Sequence, residues 1–346
     1  MPTIQKSELF DFAETLLMEG GFTAKDAKQT ADLLVWANLR GMDSHGVLRI
    51  PSYIDRIEQG IIRSGQGVKE VSSFGATTVI DGGKCPGSVG MNAAADRAGD
   101  LAENFGIGWC CARNISHAGA VGYFAGKLAA RGQIGIVMTA SKPLMTYYGA
   151  SGEALSTNPL AIAAPRAGGA DPIMLDMSTS AVALGKIMAA RDAGAPIPAG
   201  WAVDAHGANT TDPHKAAALL PMAGPKGSGL SLMIEVLSSV LAGNAVIGPF
   251  LGGRKDVGYN GLVQAVNPVA FGDTDVFLQE MERLAEAIHA LDPAPESDSV
   301  LLPGERGAAT ARTRTKDGIP LARGTVNRLI ETAERLGVTV PETLRA

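Results

Sequence analysis

The spacing of apolar positions divides the chain into three stretches. From residue 4 to about 70 the period is helical: Thr23 can cap a helix in which Ala27, Ala31, Leu34, Val35 and Asn38 recur on one face. From about 71 to 270 glycine is dense, and short apolar runs (TTVIDG, IGIVMTA, LAIAAP, PIMLDM) alternate with helix-like stretches, a pattern of mixed α/β layers. From 274 to 346 the helical period returns, with Phe277, Met281, Leu284, Ile288 and Leu291 lining one face of the first helix. The proline-bearing stretch PAPESDSVLLPGERG, 293 to 307, reads as a loop, and no internal repeat is visible.

Composition narrows the partners. The 346 residues suffice for one large or two modest cores, and 46% hydrophobic with 19% charged residues is ordinary for a soluble globular chain. A net charge of -5 gives no electrostatic argument for nucleic acid or an anionic membrane. The N-terminus, MPTIQKSELFDF, carries acidic residues where an export signal needs an apolar core, and the longest apolar run is interrupted by Glu235. A cytoplasmic protein is expected. Three cysteines, Cys85, Cys110 and Cys111, form neither an even disulfide framework nor a Cys-x-x-Cys pair, so no metal is expected, and the latter two read as small buried thiols in a strand.

Candidate chemistry concentrates in a few segments. The string G-x-G-x-x-G of a dinucleotide-binding βαβ unit is absent, as is the Walker pattern. Two segments can still cradle an anion on backbone N–H groups. In IMLDMSTSAVALGKI a strand ending near Asp176 runs into Ser178, Thr179 and Ser180, good caps for a following helix; in GPKGSGLSLMIEVL, Gly224, Gly227 and Gly229 allow close approach, and Lys226 supplies charge. Either also reads as a plain helix start.

In DSHGVLRIPSY, His45, Arg49 and Tyr53 recur every four residues and would share one face of a helix, kinked at Pro51. Arginine offers a planar fork for a carboxylate and histidine exchanges a proton near neutral pH, the pair that oxidation of a hydroxy acid requires; a merely solvated polar face is the alternative. His117, in RNISHAGAVGYFAGKLAARG, stands between a strand and a helix, followed by Gly119 and Gly122, which would leave room for a flat ligand. His206, His214 and His289 read as ordinary loop or surface residues.

The blocks RGMDSHGVLRIPSY, RNISHAGAVGYFA, STNPLAIAAP, LDMSTSAVALGK, GPKGSGLSLMIEVLSSVLAG and LPGERG, in this order, resemble the type-2 malate/L-lactate dehydrogenase family over nearly the whole chain. WAVD, TTDP and AGPKG look most like its ureidoglycolate dehydrogenases. The resemblance implies an NAD- or NADP-dependent oxidoreductase of a small 2-hydroxy acid or 2-oxo acid carboxylate, with a non-Rossmann mixed-sheet cofactor domain (71–270) and a helical domain from both chain ends (1–70 and 271–346). It further implies a homodimer. His45 and His117 match histidines given catalytic roles, and Arg49, with Ser44 and Tyr53 beside it, matches the substrate-carboxylate site. Ser141, Asn158, Asp176, Met177, Ser178, Lys226, Gly304 and Glu305 match cofactor-contacting positions. Lys142, where the ureidoglycolate enzymes resemble Ser-Asp-Pro, and Ser228, in place of an aromatic, depart from the pattern. A cyclic-imine reductase on the same scaffold and a non-catalytic metabolite-binding protein are the rival expectations.

Overall fold

In the computed structural model, which describes residues 2–192 and 194–345, helices from both chain ends share one core. Helices α1 (Lys6–Glu19), α2 (Ala24–Leu39) and α3 (Ile50–Glu58) pack with α10 (Glu305–Asp317), α11 (Arg323–Leu336) and α12 (Glu342–Arg345). Thr23 caps α2 by accepting from the Asp26 N–H at 3.4 Å, and Ala27, Ala31, Leu34 and Val35 are buried on the expected face. Strand β1 (Thr3–Ile4) pairs antiparallel with β14 (Ile319–Pro320), tying the two ends together.

The central sheet has seven strands, in the order β2 (Lys69–Phe74), β3 (Thr77–Cys85), β4 (Ile107–Ile115), β13 (Tyr259–Val266), β5 (Ile134–Ala140), β8 (Leu160–Ala164) and β9 (Ile173–Met177). Only β3 and β4 run parallel; the other neighbours are antiparallel. This mixed α/β sheet is not the doubly wound parallel sheet of a Rossmann domain, which accounts for the missing glycine string. Helices α4 (Gly87–Phe105) and α5 (Gly122–Ala130) cover the sheet. A Cβ on Gly108 would stand 1.9 Å from the Ala98 carbonyl oxygen, so only glycine lets α4 lie this close on β4. Cys110 and Cys111 point to opposite faces of β4, both covered, and burial pushes both thiols up, Cys110 to about 12.

A second, five-stranded sheet has the order β11 (Asn209–Thr210), β10 (Ala202–Val203), β12 (Ala218–Leu219), β6 (Met145–Thr146) and β7 (Glu153–Leu155). Helices α6 (Leu184–Asp192), α7 (Pro225–Glu235), which continues through a π turn at Val236–Val240, and α8 (Ile247–Leu251) lie in the same region of the chain. Helix α9 (Thr274–His289) adds nothing to the core shared by the chain ends; it packs on residues 167–169, where Glu282 holds Arg166 at 2.6 Å and the Ala167 N–H at 3.1 Å. Its apolar face stays partly open, with Leu284 and Leu291 both exposed. The expected loop at 293–307 ends earlier, because Gly304, at φ 94°, starts α10 and Glu305 accepts from the Leu302 N–H at 2.8 Å.

Candidate active site

The expected helix through His45, Arg49 and Tyr53 is broken. Two single 3-10 turns, Asp43–His45 and Val47–Arg49, precede α3, and Gly46 between them is extended at φ −90°, ψ −156°. The cause lies in α2: the Asn38 side chain accepts the Val47 N–H at 2.8 Å, withdrawing that donor from a continuous helix, and donates to the Asp43 carboxylate at 2.7 Å, anchoring the first turn. Pro51 falls in the first turn of α3, where its missing N–H costs nothing. The three side chains therefore do not form one helical stripe.

They meet through His117 instead. Tyr53 Oη lies 2.7 Å from His117 Nδ1, and the His45 ring stacks on the His117 ring with centroids 5.8 Å apart at 19°. Tyr259 of β13, which the sequence did not single out, presents its ring edge to His117 at 6.5 Å. Ser44 Oγ is 2.9 Å from His45 Nδ1, and Arg49 Nε donates to the Ser44 carbonyl at 2.8 Å. Among the described residues Arg49 has no carboxylate partner, so its terminal nitrogens remain for an outside anion.

His117 owes its position to the strand-to-helix junction. The Ser116 hydroxyl accepts the Gly87 N–H at 2.8 Å, and a Cβ on Gly87 would lie 2.1 Å from the His117 carbonyl oxygen. The start of α4 thus presses directly on the backbone that carries the imidazole. Gly119 and Gly122 leave no room for a flat ligand, contrary to expectation. A Cβ on Gly119 would meet Leu33 at 2.8 Å, and one on Gly122 would meet Asp176 at 2.5 Å.

Electrostatics favour neutral rings. Burial and the Arg49 charge push His45 down to about 4 and hold His117 well below the usual histidine range. Burial pushes Tyr53 up to about 12, so its phenol stays protonated. Both imidazoles are therefore free bases at neutral pH.

The expected cofactor positions lie on or next to β5, β8, β9, α7 and the start of α10. Asp176, at the end of β9, accepts the Gly122 N–H at 3.0 Å at the start of α5, and burial raises it to about 6 against the pull of Arg40. Ser178 does not cap a helix: it bonds Ser180 at 3.0 Å, Ser180 bridges to Pro221, and α6 begins only at Leu184. Backbone pairing with residues 220–222, just past β12, thus displaces the helix start. A Cβ on Gly185 would lie 3.3 Å from Ser44, so α6 begins against the histidine cluster.

Ser141 pairs with Ser156, and the buried Asn158 donates to the Ser231 carbonyl of α7 at 2.9 Å. Met177 is half-buried opposite Leu160, while Lys226 is exposed in the first turn of α7. Gly304 and Glu305 are held locally: the Gly304 carbonyl accepts from Arg40 at 3.0 Å, and Glu305 pairs with His289 at 2.9 Å. Of the departures, Ser228 accepts the Tyr148 N–H at 2.8 Å, and Lys142 is half-buried without an ion-pair partner among the described residues.

This cradle suits a polar ligand with amide and phosphate groups. Asn158 Oδ1 and Thr179 Oγ1 are buried without a partner, although such atoms in folded proteins are nearly always satisfied. A Cβ on Gly227 would lie 2.7 Å from the Thr179 carbonyl oxygen, so glycine alone permits the close approach of α7 to the strand end. Asn158, Thr179 and Lys226 would hold a nicotinamide dinucleotide there. Thr179 was read as a helix cap in an anion cradle, whereas Asn38 escaped sequence reading as a site residue; its one available signal was a polar amide on the apolar stripe of α2.

Along nearly its whole length the chain is similar to known dehydrogenases and a reductase. The chain is 35% identical over 347 residues to a malate dehydrogenase of Pyrococcus horikoshii, covering 97% of this chain and 96% of the relative. It is 33% identical over 338 residues to an NAD(+) ureidoglycolate dehydrogenase of Escherichia coli O157:H7, covering 95% of each. The solved structure of delta1-piperideine-2-carboxylate reductase from Pseudomonas syringae superposes with a TM-score of 0.85 at 28% identity, covering 96% of this chain and 100% of that one. Residues 4–330 match the family model described as malate/L-lactate dehydrogenase, and the chain belongs to that family.

Proposed function

We propose that this chain is a nicotinamide-dependent oxidoreductase that interconverts a small 2-hydroxy acid and its 2-oxo acid. The observation that carries the reading is Arg49, half-buried and without a carboxylate partner among the described residues, beside two neutral imidazoles. Arg49 grips the substrate carboxylate. Because His117 Nδ1 faces the Tyr53 oxygen at 2.7 Å, Nε2 is the nitrogen left to take the hydroxyl proton, with Nδ1–H donating to Tyr53. His45, stacked on that ring and held by Ser44, shapes the pocket and is the second proton-exchanging group. A bound nicotinamide supplies the two-electron hydride chemistry. Asn158, Asp176, Met177 and Ser178 hold it, with Ser141, Lys226 and the Gly304–Glu305 corner at the edge of its site.

The same reading takes the protein as a cytoplasmic homodimer, in which residues 1–70 and 271–346 form the helical domain, with α9 packed instead on residues 167–169, and 71–270 the cofactor domain. Support for self-association comes from exposed Leu232, Met233, Val240 and Leu241 along the outer side of α7 and its π turn, an apolar stripe that a second copy would cover. Among the described residues no helix is long and apolar enough to cross a membrane.

The likeness to piperideine-2-carboxylate reductase favours one second reading, reduction of a cyclic imine carboxylate, which Arg49 would hold equally well. A spectrophotometric panel of 2-oxo acids, ureidoglycolate and cyclic imines, each with NADH and NADPH, separates the two. Turnover of 2-oxo acids supports the first. Turnover of imines alone supports the second, and cofactor binding without turnover of any compound overturns both.

A further inference from the structure

The segment that carries Ser44, His45 and Arg49 follows α2 after three residues and is short and glycine-interrupted, so something must hold its shape. We infer that Asn38 is the positioning residue of the active site, a buried amide that fixes the two 3-10 turns, with Asp43 and Arg314 as its outer partners. This inference rests on the proposed function only for what the turn does, not for how it is held.

Asn38 is 1% exposed in the last turn of α2. Its Oδ1 accepts the N–H of Val47, the first residue of the second turn, at 2.8 Å, and its Nδ2 donates to Asp43, the first residue of the first turn, at 2.7 Å. One side chain therefore spans both turns, and the residues it brackets are Ser44, His45 and Gly46. Gly46 is shaped to this amide: an added Cβ would lie 2.1 Å from Asn38 Oδ1. From the far end of the chain, Arg314 of α10 donates to the Asn38 carbonyl and to both Asp43 oxygens, at 2.8 and 3.3 Å. The clasp joins α2, the catalytic turn and α10.

The energetic logic is that of a buried polar network. With its amide satisfied on both sides, Asn38 locks one backbone path; without it, the Val47 N–H is left buried and unpaired and the turn is free to shift. A displacement of about 1 Å at reacting groups costs roughly a hundredfold in rate. Loss of Asn38 thus acts through Arg49 and His45 while the cradle around Asn158 and Thr179, on other elements, is untouched.

The test compares wild type with Asn38→Ala and, in case that variant does not fold, Asp43→Ala, whose side chain is half-exposed. In Asn38→Ala, KM for the carboxylate substrate rises and kcat falls, with kcat/KM down about ten- to a hundredfold, while NADH affinity by fluorescence stays within about twofold. Asp43→Ala moves the same way by less. An activity-independent reading comes from histidine titration by NMR: the His45 midpoint moves up toward its ordinary 6.5 in either variant. Folded variants with wild-type kinetics and an unmoved His45 overturn the inference, as does an equal loss of NADH affinity, which would mark general loosening. If wild type turns over no compound, the functional reading fails, and the His45 midpoint alone still decides the role of Asn38.

Discussion

Replacing Tyr53 with phenylalanine removes one oxygen from the center of the site. Tyr53 is 6% exposed and its hydroxyl stands 2.7 Å from His117 Nδ1, so the ring stays packed while the hydrogen bond is lost. In the resting enzyme that bond joins two neutral groups and contributes about 1 kcal/mol. On the proposed mechanism His117 takes the hydroxyl proton, after which Nδ1–H belongs to an imidazolium and the bond becomes charge-assisted, worth about 1.5–3 kcal/mol. The difference appears only as the proton moves, so kcat carries it. At about 1.4 kcal/mol per factor of ten, kcat for oxidation falls roughly 2- to 30-fold after the resting-state contribution is subtracted. KM for the acid stays near wild type, because Arg49 keeps its fork. Steady-state oxidation of whichever 2-hydroxy acid the panel identifies, across pH 5 to 10, measures both constants. An unchanged kcat with a raised KM would refute this reasoning and return Tyr53 to direct substrate binding.

Three further outcomes follow from the same geometry. Arg49→Lys keeps the charge but loses the planar fork, so KM for the carboxylate rises about tenfold or more while NADH affinity is unchanged; an unaltered KM would remove Arg49 from substrate binding. Gly87→Ala drives a methyl to within 2.1 Å of the His117 carbonyl oxygen, costing about 1–3 kcal/mol by overpacking, and both the thermal midpoint and kcat fall; a variant as stable and active as wild type contradicts the packing. Asp176→Asn changes the pH dependence of stability. Asp176, raised to about 6 from 3.8, binds its proton more tightly when folded, so its contribution is lost as pH rises through that window. His45, lowered to about 4 from 6.5, and His117, also held well below 6.5, have the opposite sign, so in wild type Asp176 offsets only part of the histidine slope. In the variant the histidine slopes act unopposed, and stability climbs with pH by up to about 1.4 kcal/mol per unit more steeply than in wild type. Thermal midpoints from pH 4 to 7 measure it, and parallel curves would refute the burial of Asp176.

How much of this was legible in sequence depends on whether the determining contact is local. The α2 stripe, the strands and the glycine-led start of α7 follow from period and turn chemistry, which act within a few residues, and they appear as expected. The turn that carries His45 and Arg49 does not. A four-residue spacing favours a helix, and what breaks it is Asn38, whose amide captures Val47 and Asp43 from another element, with Arg314 closing the clasp from 276 residues away. The Ser178–Ser180 segment fails for the same reason, since Pro221 takes its backbone into a bridge before a helix can start.

The glycines mislead in a related way. Gly119 and Gly122 suggest space for a ligand, yet Leu33 and Asp176 fill it, because absence of a side chain marks close approach without naming what approaches. His45, Arg49, Tyr53 and His117 were legible as chemistry by residue type, and their meeting was not. Two helical residues four apart meet by local geometry, whereas Tyr53 and His117, 64 residues apart, meet only because Gly87 lets α4 press His117 forward and Asn38 turns the Asp43–Arg49 segment back. A site assembled this way is specified by its supports, so substitutions at Asn38 and Gly87 should report on catalysis as directly as those at the histidines.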